Sequence, residues 1–187
     1  MHEETINTRT VFTGKALQLD VLDVKLSTGR SSIREIIRHP GAAVVLARLP
    51  NGSFVFVKQY RKAVEQVILE TVAGTLEPNE NPLECASREL REETGYDAES
   101  IHKLGVIYPS PGYSEEIHHI YLADLFPVEE TPEPDEDEIL DTVILSENEI
   151  NELIDREEIR DAKTLVAWMY FQRAKSEERG AGSGERK

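Results

Sequence analysis

The chain has one cysteine, Cys85, and this excludes an internal disulfide framework. A reducing compartment is therefore expected. No stretch approaches the ~18 consecutive apolar residues that a membrane-spanning helix needs. The opening MHEETINTRT has no apolar run behind a basic one, so no secretory leader is expected. These two absences point to a cytoplasmic protein. Positive charge is also scarce: 21 Lys and Arg stand against 36 Asp and Glu, a formal net charge of −15. Such a field repels nucleic acid and anionic membranes, which argues against either as a general partner and favours small molecules. Cys85 falls inside an apparent helix, where packing suits it better than reactivity.

The 187 residues suffice for one main domain with a substantial core and a small appendage. LQLDVLDVKL and SSIREIIRH alternate apolar and polar residues on either side of Ser27-Thr28-Gly29-Arg30, which predicts antiparallel strands joined by a hairpin turn within residues 9–38. His39-Pro40-Gly41 ends that pattern. Residues 1–40 thus form an N-terminal β extension, too small a sheet to stand alone and expected to dimerise the protein. The main domain is expected over 41–178. AAVVLARL and SFVFVKQY flank a turn at Leu49–Gly52 and are apolar at nearly every position, as in buried central strands. VILETVA and HHIYLADLF follow as further strands. The run PVEETPEPDEDE, Pro127–Glu138, is broken by prolines and predicts a mobile loop. Ser146 with Glu149 forms a capping box for a short helix, and Asp161 opens a last helix containing Leu165 and Trp168. Residues 179–187 are expected to be a disordered tail. Strands on both sides of a central helix, with a closing helix, give an α/β sandwich of mixed sheets.

That central helix lies in GTLEPNENPLECASRELREETGY, Gly74–Tyr96. Asn81 is a good N-cap, Pro82 fits the first helical position, and Gly95 can stop the helix in a left-handed conformation. Helical spacing gathers Glu89, Glu92 and Glu93 on one arc beside an apolar stripe of Leu83, Ala86 and Leu90. Like charges at these spacings repel by a few tenths of a kcal/mol per pair, and a bound cation reverses the sign. Hard carboxylate oxygens suit Mg²⁺ or Mn²⁺. The bland alternative is a solvated acidic face neutralised by Arg88 and Arg91.

The whole segment resembles the Nudix box, G-x5-E-x7-R-E-U-x-E-E-x-G-U, at Gly74, Glu80, Arg88, Glu89, Leu90, Glu92, Glu93, Gly95 and Tyr96. Tyr96 in the place of an aliphatic residue is the only departure. The resemblance implies the Nudix α/β/α sandwich of mixed sheets and a metal-dependent hydrolase of a nucleoside diphosphate linked to another moiety. It implies Glu89, Glu92, Glu93 and the Ala73 carbonyl as metal ligands, with Mg²⁺ or Mn²⁺ bound, and Glu80 and Arg88 bracing the loop. Within the family, Gln59-Tyr60-Arg61, the Ala73-Gly74 entry to the box and Pro111 followed by Gly112 resemble the ADP-ribose pyrophosphatase subgroup. Arg61 alone would pass for a surface cation at a strand end. On the resemblance it binds the diphosphate, Pro111 and Gly112 lie at the substrate, and Arg34 or Arg38 crosses a homodimer interface to reach it. The general base is expected from the acidic loop, at Glu138 or Glu136, with Glu92 as the candidate inside the box. The expected reaction takes ADP-ribose to AMP and ribose 5-phosphate. The alternatives are another nucleoside-diphosphate sugar such as GDP-mannose, or a non-catalytic nucleotide-sugar sensor.

Overall fold

The alternation near the start folds into a three-stranded antiparallel sheet of β1 (Glu3–Thr13), β2 (Gln18–Leu26) and β3 (Ser31–Arg38), in that order. This comes from a computed structural model that describes residues 2–15, 17–129, 131–132 and 139–182. The expected hairpin turn is present: the Leu26 N–H donates to the Arg30 carbonyl at 2.8 Å, and Gly29 adopts φ +83°. Strand structure begins earlier than residue 9, however. In EETINTRTVFT every side chain is exposed, so β1 has no buried face to impose an apolar period and is held by its backbone ladder to β2. These strands form one compact unit, Met1–Gly41, together with the segment Tyr108–Ile117. Within that unit the Ile37 N–H donates to the Tyr113 carbonyl at 2.7 Å and the Glu115 N–H to the Ile37 carbonyl at 3.1 Å.

The second unit comprises Ala42–Ile107 and His118–Lys187. Its seven-stranded mixed sheet contains β4 (Ala42–Arg48), β5 (Phe54–Arg61), β6 (Gln66–Glu70), β7 (Val72–Thr75), β8 (Tyr96–Ile107), β9 (His118–Glu129) and β10 (Leu140–Leu145). The path is β10-β5-β4-β9-β8, with β6 on β5 and β7 on β4. Strand β4 runs parallel to β9 and is buried almost throughout. Its alternate residues serve two cores. Ala43, Val45 and Ala47 pack with Cys85, Ala86 and Leu90 of helix α1 (Pro82–Thr94). Val44 and Leu46 pack with Ile150 of α2 (Glu147–Asp155) and with Ala167, Trp168 and Phe171 of α3 (Ala162–Gly182). The sheet is therefore sandwiched between α1 and the α2–α3 pair.

Two expectations need correction. Strand β8 went unread because its pairing with β9 shifts register between Tyr96 and Ala98, Ala98 and Ser100, and Lys103 and Gly105, and each shift breaks the two-residue period. Pro127 does not begin a loop, since β9 continues through Glu129. The pairing jumps from Ala98↔Leu125 to Tyr96↔Glu129, and β4 stops pairing at Asp124. At such an irregularity the missing proline N–H is tolerated. Glu136 and Glu138 lie outside the described residues, as do residues 183–187. Helix α3 runs through Gly182, into the stretch expected as a tail. Among the described residues no helix is long and apolar enough to cross a membrane.

Candidate active site

Helix α1 starts and stops where the sequence places it. The Leu83 N–H donates to Asn81 Oδ1 at 2.9 Å, Pro82 opens the helix, and Gly95 ends it at φ +74° with its N–H on the Arg91 carbonyl. The buried face is Cys85, Ala86, Leu90, Glu93 and Thr94. This corrects the expected stripe in two places. Leu83 is exposed, and Glu93 is not on an open edge but only 5% exposed, because it follows Ala86 and Leu90 at helical spacing on the inner face.

Arg88 is the hub of the box. Its Nε and Nη2 reach the two oxygens of Glu80 at 2.9 and 3.1 Å, while Nη1 reaches Glu89 Oε1 at 2.7 Å and Glu92 Oε2 at 2.9 Å. Glu80 also accepts from the Glu77 N–H at 2.8 Å, so the loop before the helix is tied to it. The Arg88 guanidinium holds the Glu80 carboxyl down to about 2, and Glu80, followed by Glu89, raises the pKa of Arg88 in return. The box glycine has a steric reason. A Cβ on Gly74 would come within 1.7 Å of Glu89 Cδ, so the Glu89 carboxyl lies directly against the bare backbone. Beneath it the Cys85 thiol sits 3.6 Å from the Gly74 carbonyl, and burial pushes it up to about 12. It fills space and is not a nucleophile at neutral pH.

A second charged group stands at the end of β5 and β6. Arg61 donates through Nε and Nη2 to the two oxygens of Glu70 at 2.7 and 2.9 Å, a bidentate pair. Glu70 lies opposite Val57 and is buried. Burial pushes its carboxyl up, but the Arg61 hydrogen bonds and the charge of Lys163 outweigh this and hold it below the usual range. The Glu70 hydrogen bond raises the pKa of Arg61, and the charges of Glu93 and Asp161 add to the effect. Arg61 and a box glutamate thus share one electrostatic neighbourhood. Sequence reasoning found Arg61 but missed Glu70 and Lys163. The available signal was a lone glutamate inside the apolar run VILETVA, which must bring a cation with it when buried.

The remaining expected residues are distributed as follows. Ala73 lies on β7 opposite Val44, one residue before Gly74. Arg34, Arg38, Pro111 and Gly112 belong to the first unit. Arg34 is held by Glu3 at 3.0 and 2.5 Å. Arg38 bridges Asp20 at 2.9 Å and Glu115 at 2.6 Å, and so ties β3 to the loop that carries Pro111. Pro111 and Gly112 lie in a turn closed by the Tyr113 and Ser114 N–H groups on the Ser110 carbonyl.

The NUDIX domain family model matches residues 37–176. The chain belongs to the NUDIX family. It is 43% identical over 173 residues to an ADP-ribose pyrophosphatase of Bacillus subtilis, covering 92% of this chain and 94% of that protein. It is also 43% identical to a methanol dehydrogenase activator of Bacillus methanolicus, covering 91% and 92% of the two chains. A GDP-mannose pyrophosphatase of Yersinia enterocolitica is 35% identical over 78% of this chain and 80% of its own. A crystal structure of an ADP compounds hydrolase superposes with a TM-score of 0.81 over 100% of this chain and 98% of that one, at 23% identity, and shows the same fold.

Hydrolases of the NUDIX family generally use a divalent metal, and the donor chemistry here fits one. Three carboxylates stand on consecutive turns of α1, and Glu89 rests against a glycine that leaves it room. In the arrangement seen, Glu89 and Glu92 each give an oxygen to Arg88, and no three acidic, histidine or cysteine side chains converge on one point among the described residues. Glu89 and Glu92 each use one oxygen on Arg88 and have a second oxygen that could meet a cation.

Proposed function

We propose that this NUDIX protein hydrolyses the diphosphate of ADP-ribose, releasing AMP and ribose 5-phosphate. The observation that carries this reading is the pairing of two charge systems. Glu93 of the box adds its charge at Arg61, a guanidinium fixed in place through Nε and Nη2 by Glu70. The near full-length similarity to the Bacillus subtilis ADP-ribose pyrophosphatase supports the same substrate.

Glu89, Glu92, Glu93 and the Ala73 carbonyl would hold Mg²⁺, with Mn²⁺ as a substitute. An ion held there supplies Lewis-acid polarisation of the phosphoryl oxygens and a more acidic water. Arg61 binds and orients the diphosphate. Arg88 pairs with Glu89 and Glu92 and is itself fixed by Glu80, so the loop and the helix move as one piece. Proton removal from the attacking water falls to Glu138 or Glu136, or otherwise to Glu92. Pro111 and Gly112 are the further substrate-binding residues of this reading. The chain acts as a homodimer through residues 1–40, with Arg34 or Arg38 reaching the partner's substrate. A single buried cysteine agrees with a reducing, cytoplasmic setting.

The decisive measurement is AMP release from ADP-ribose with Mg²⁺, with Mn²⁺ and with EDTA, run beside GDP-mannose. The second substrate is included because of the Yersinia relative. ADP-ribose should be cleaved with Mg²⁺ and spared in EDTA. Preference for GDP-mannose would transfer the proposal to that substrate, and no cleavage of either would favour a sensor. Glu93→Gln should keep the fold and reduce turnover by about 10²-fold or more, since the amide preserves volume on the buried face and removes the charge. Activity within a few-fold of wild type would remove Glu93 from the metal site.

A further inference from the structure

The Arg61–Glu70 pair is only as well fixed as Glu70 itself. Glu70 Oε2 takes a second cation, Lys163, from the start of α3. Lys163 has only 12% of its side chain exposed and also meets Asp161 Oδ2 at 3.1 Å. Asp161 accepts from the Thr164 N–H at 3.0 Å and its hydroxyl at 2.6 Å. The Thr164 oxygen in turn accepts from the Thr71 N–H at 2.9 Å, and the Thr71 hydroxyl donates to the Val45 carbonyl. One short stretch at the start of α3, residues 161–164, therefore grips two consecutive residues, Glu70 and Thr71, just ahead of Ala73 and Gly74.

A buried ion pair of this kind is weak evidence of a stabilising role. Replacing buried ion pairs by packed apolar side chains is often neutral or better, and ordering a lysine sacrifices rotamer freedom. What the network does provide is direction. Both oxygens of Glu70 are committed, so the plane of the Arg61 guanidinium is set while 41% of that side chain stays exposed. We infer that Lys163 is a positioning residue for diphosphate recognition, acting through Glu70 to aim Arg61 at the substrate; this rests on reading the site as a diphosphate hydrolase.

The test compares full-length wild type with Lys163→Met, Lys163→Arg, Arg61→Ala and the double variant Lys163→Met/Arg61→Ala. Each is measured for kcat, KM and Tm. Lys163→Met should raise KM by about tenfold with kcat within about threefold, because a misaimed anchor weakens binding more than chemistry. Lys163→Arg should recover most of the lost affinity. In the Arg61→Ala background the Lys163 substitution should add nothing further, which is the non-additivity expected of residues acting through one another. A KM within twofold of wild type in Lys163→Met, or full additivity in the double variant, overturns the inference. Should Lys163→Met be insoluble, Glu70→Gln/Lys163→Met removes the buried charge together with its partner and is judged by the same KM criterion. A wild type that releases no AMP from ADP-ribose sinks the substrate reading instead. The variants are then compared on whichever nucleotide sugar it cleaves, or by calorimetric affinity for ADP if it cleaves none, since the diphosphate is common to all.

Discussion

Gly74 and Gly95 are both box glycines, yet they answer to different constraints. At Gly95 the backbone sits at φ +74°, where any Cβ is strained, so Gly95→Ala should lower stability by about 1–2 kcal/mol. At Gly74 the backbone is ordinary and the obstacle is the end of a flexible side chain, Glu89 Cδ at 1.7 Å. Gly74→Ala should therefore push the Glu89 carboxyl aside and leave the backbone in place. Stability should stay within about 1 kcal/mol of wild type, while hydrolysis falls by about 10²-fold because a metal ligand is misplaced. Chemical denaturation and AMP release on the same preparation separate the two outcomes. A Gly74→Ala protein that unfolds early and retains its specific activity would contradict the steric account. Glu80 makes a third case, governed by charge. Its folded carboxyl titrates at about 2 against an ordinary 4.5, so its contribution is complete above about 4.5 and lost as pH falls towards 2. Glu80→Gln should be less stable than wild type at neutral pH, with the gap closing across that window. A gap that does not change with pH would mean that Glu80 supports the loop by packing alone.

At the scale of elements, legibility followed local chemistry. Helix α1 could be read to the residue because Asn81, Pro82 and Gly95 each act on their own backbone neighbours. The Ser146–Glu149 capping box of α2 is formed as read, with its reciprocal hydrogen bonds at 2.8 and 3.3 Å. Asn81→Ala should lower stability by about 1 kcal/mol and leave KM unchanged, measured by urea midpoint and steady-state kinetics; an unaltered midpoint would mean that packing alone fixes the helix start. The two strands that were missed had no such local code. In β1 no face is buried, and in β8 the register slips at each bulge, so neither kept a two-residue period. The site divides in the same way. The glutamates and Arg61 carry patterns along the chain, whereas Glu70 and Lys163 meet across |i−j| = 93, a pairing that exists only once β6 and α3 are packed.

For the whole molecule, the open question is what covers β1. It is an 11-residue edge strand with every side chain exposed, and it displays Ile6 at 61%, Val11 at 49% and Phe12 at 56% of their full exposure. Natural sheets shorten, charge or cover such edges, because unpaired backbone groups beside apolar side chains recruit another chain. A second copy is the partner that symmetry makes cheapest: one self-complementary patch closes a twofold dimer and leaves no β1 edge free to recruit a third chain. The net charge of −15 on each chain opposes association, so apolar contact must prevail over mutual repulsion, and association should tighten as salt screens the charges. Light scattering at micromolar concentration should give about twice the 21.1 kDa chain mass. Ile6→Lys/Val11→Lys should dissociate it without unfolding the second unit, whose two cores contain no residue of β1. If Arg34 or Arg38 reaches the partner's substrate, the dissociated form should also lose affinity for ADP-ribose while its Tm for the second unit holds. A wild type that scatters as a monomer near 21.1 kDa, or a dissociated variant with unchanged KM, would confine the whole site to a single chain.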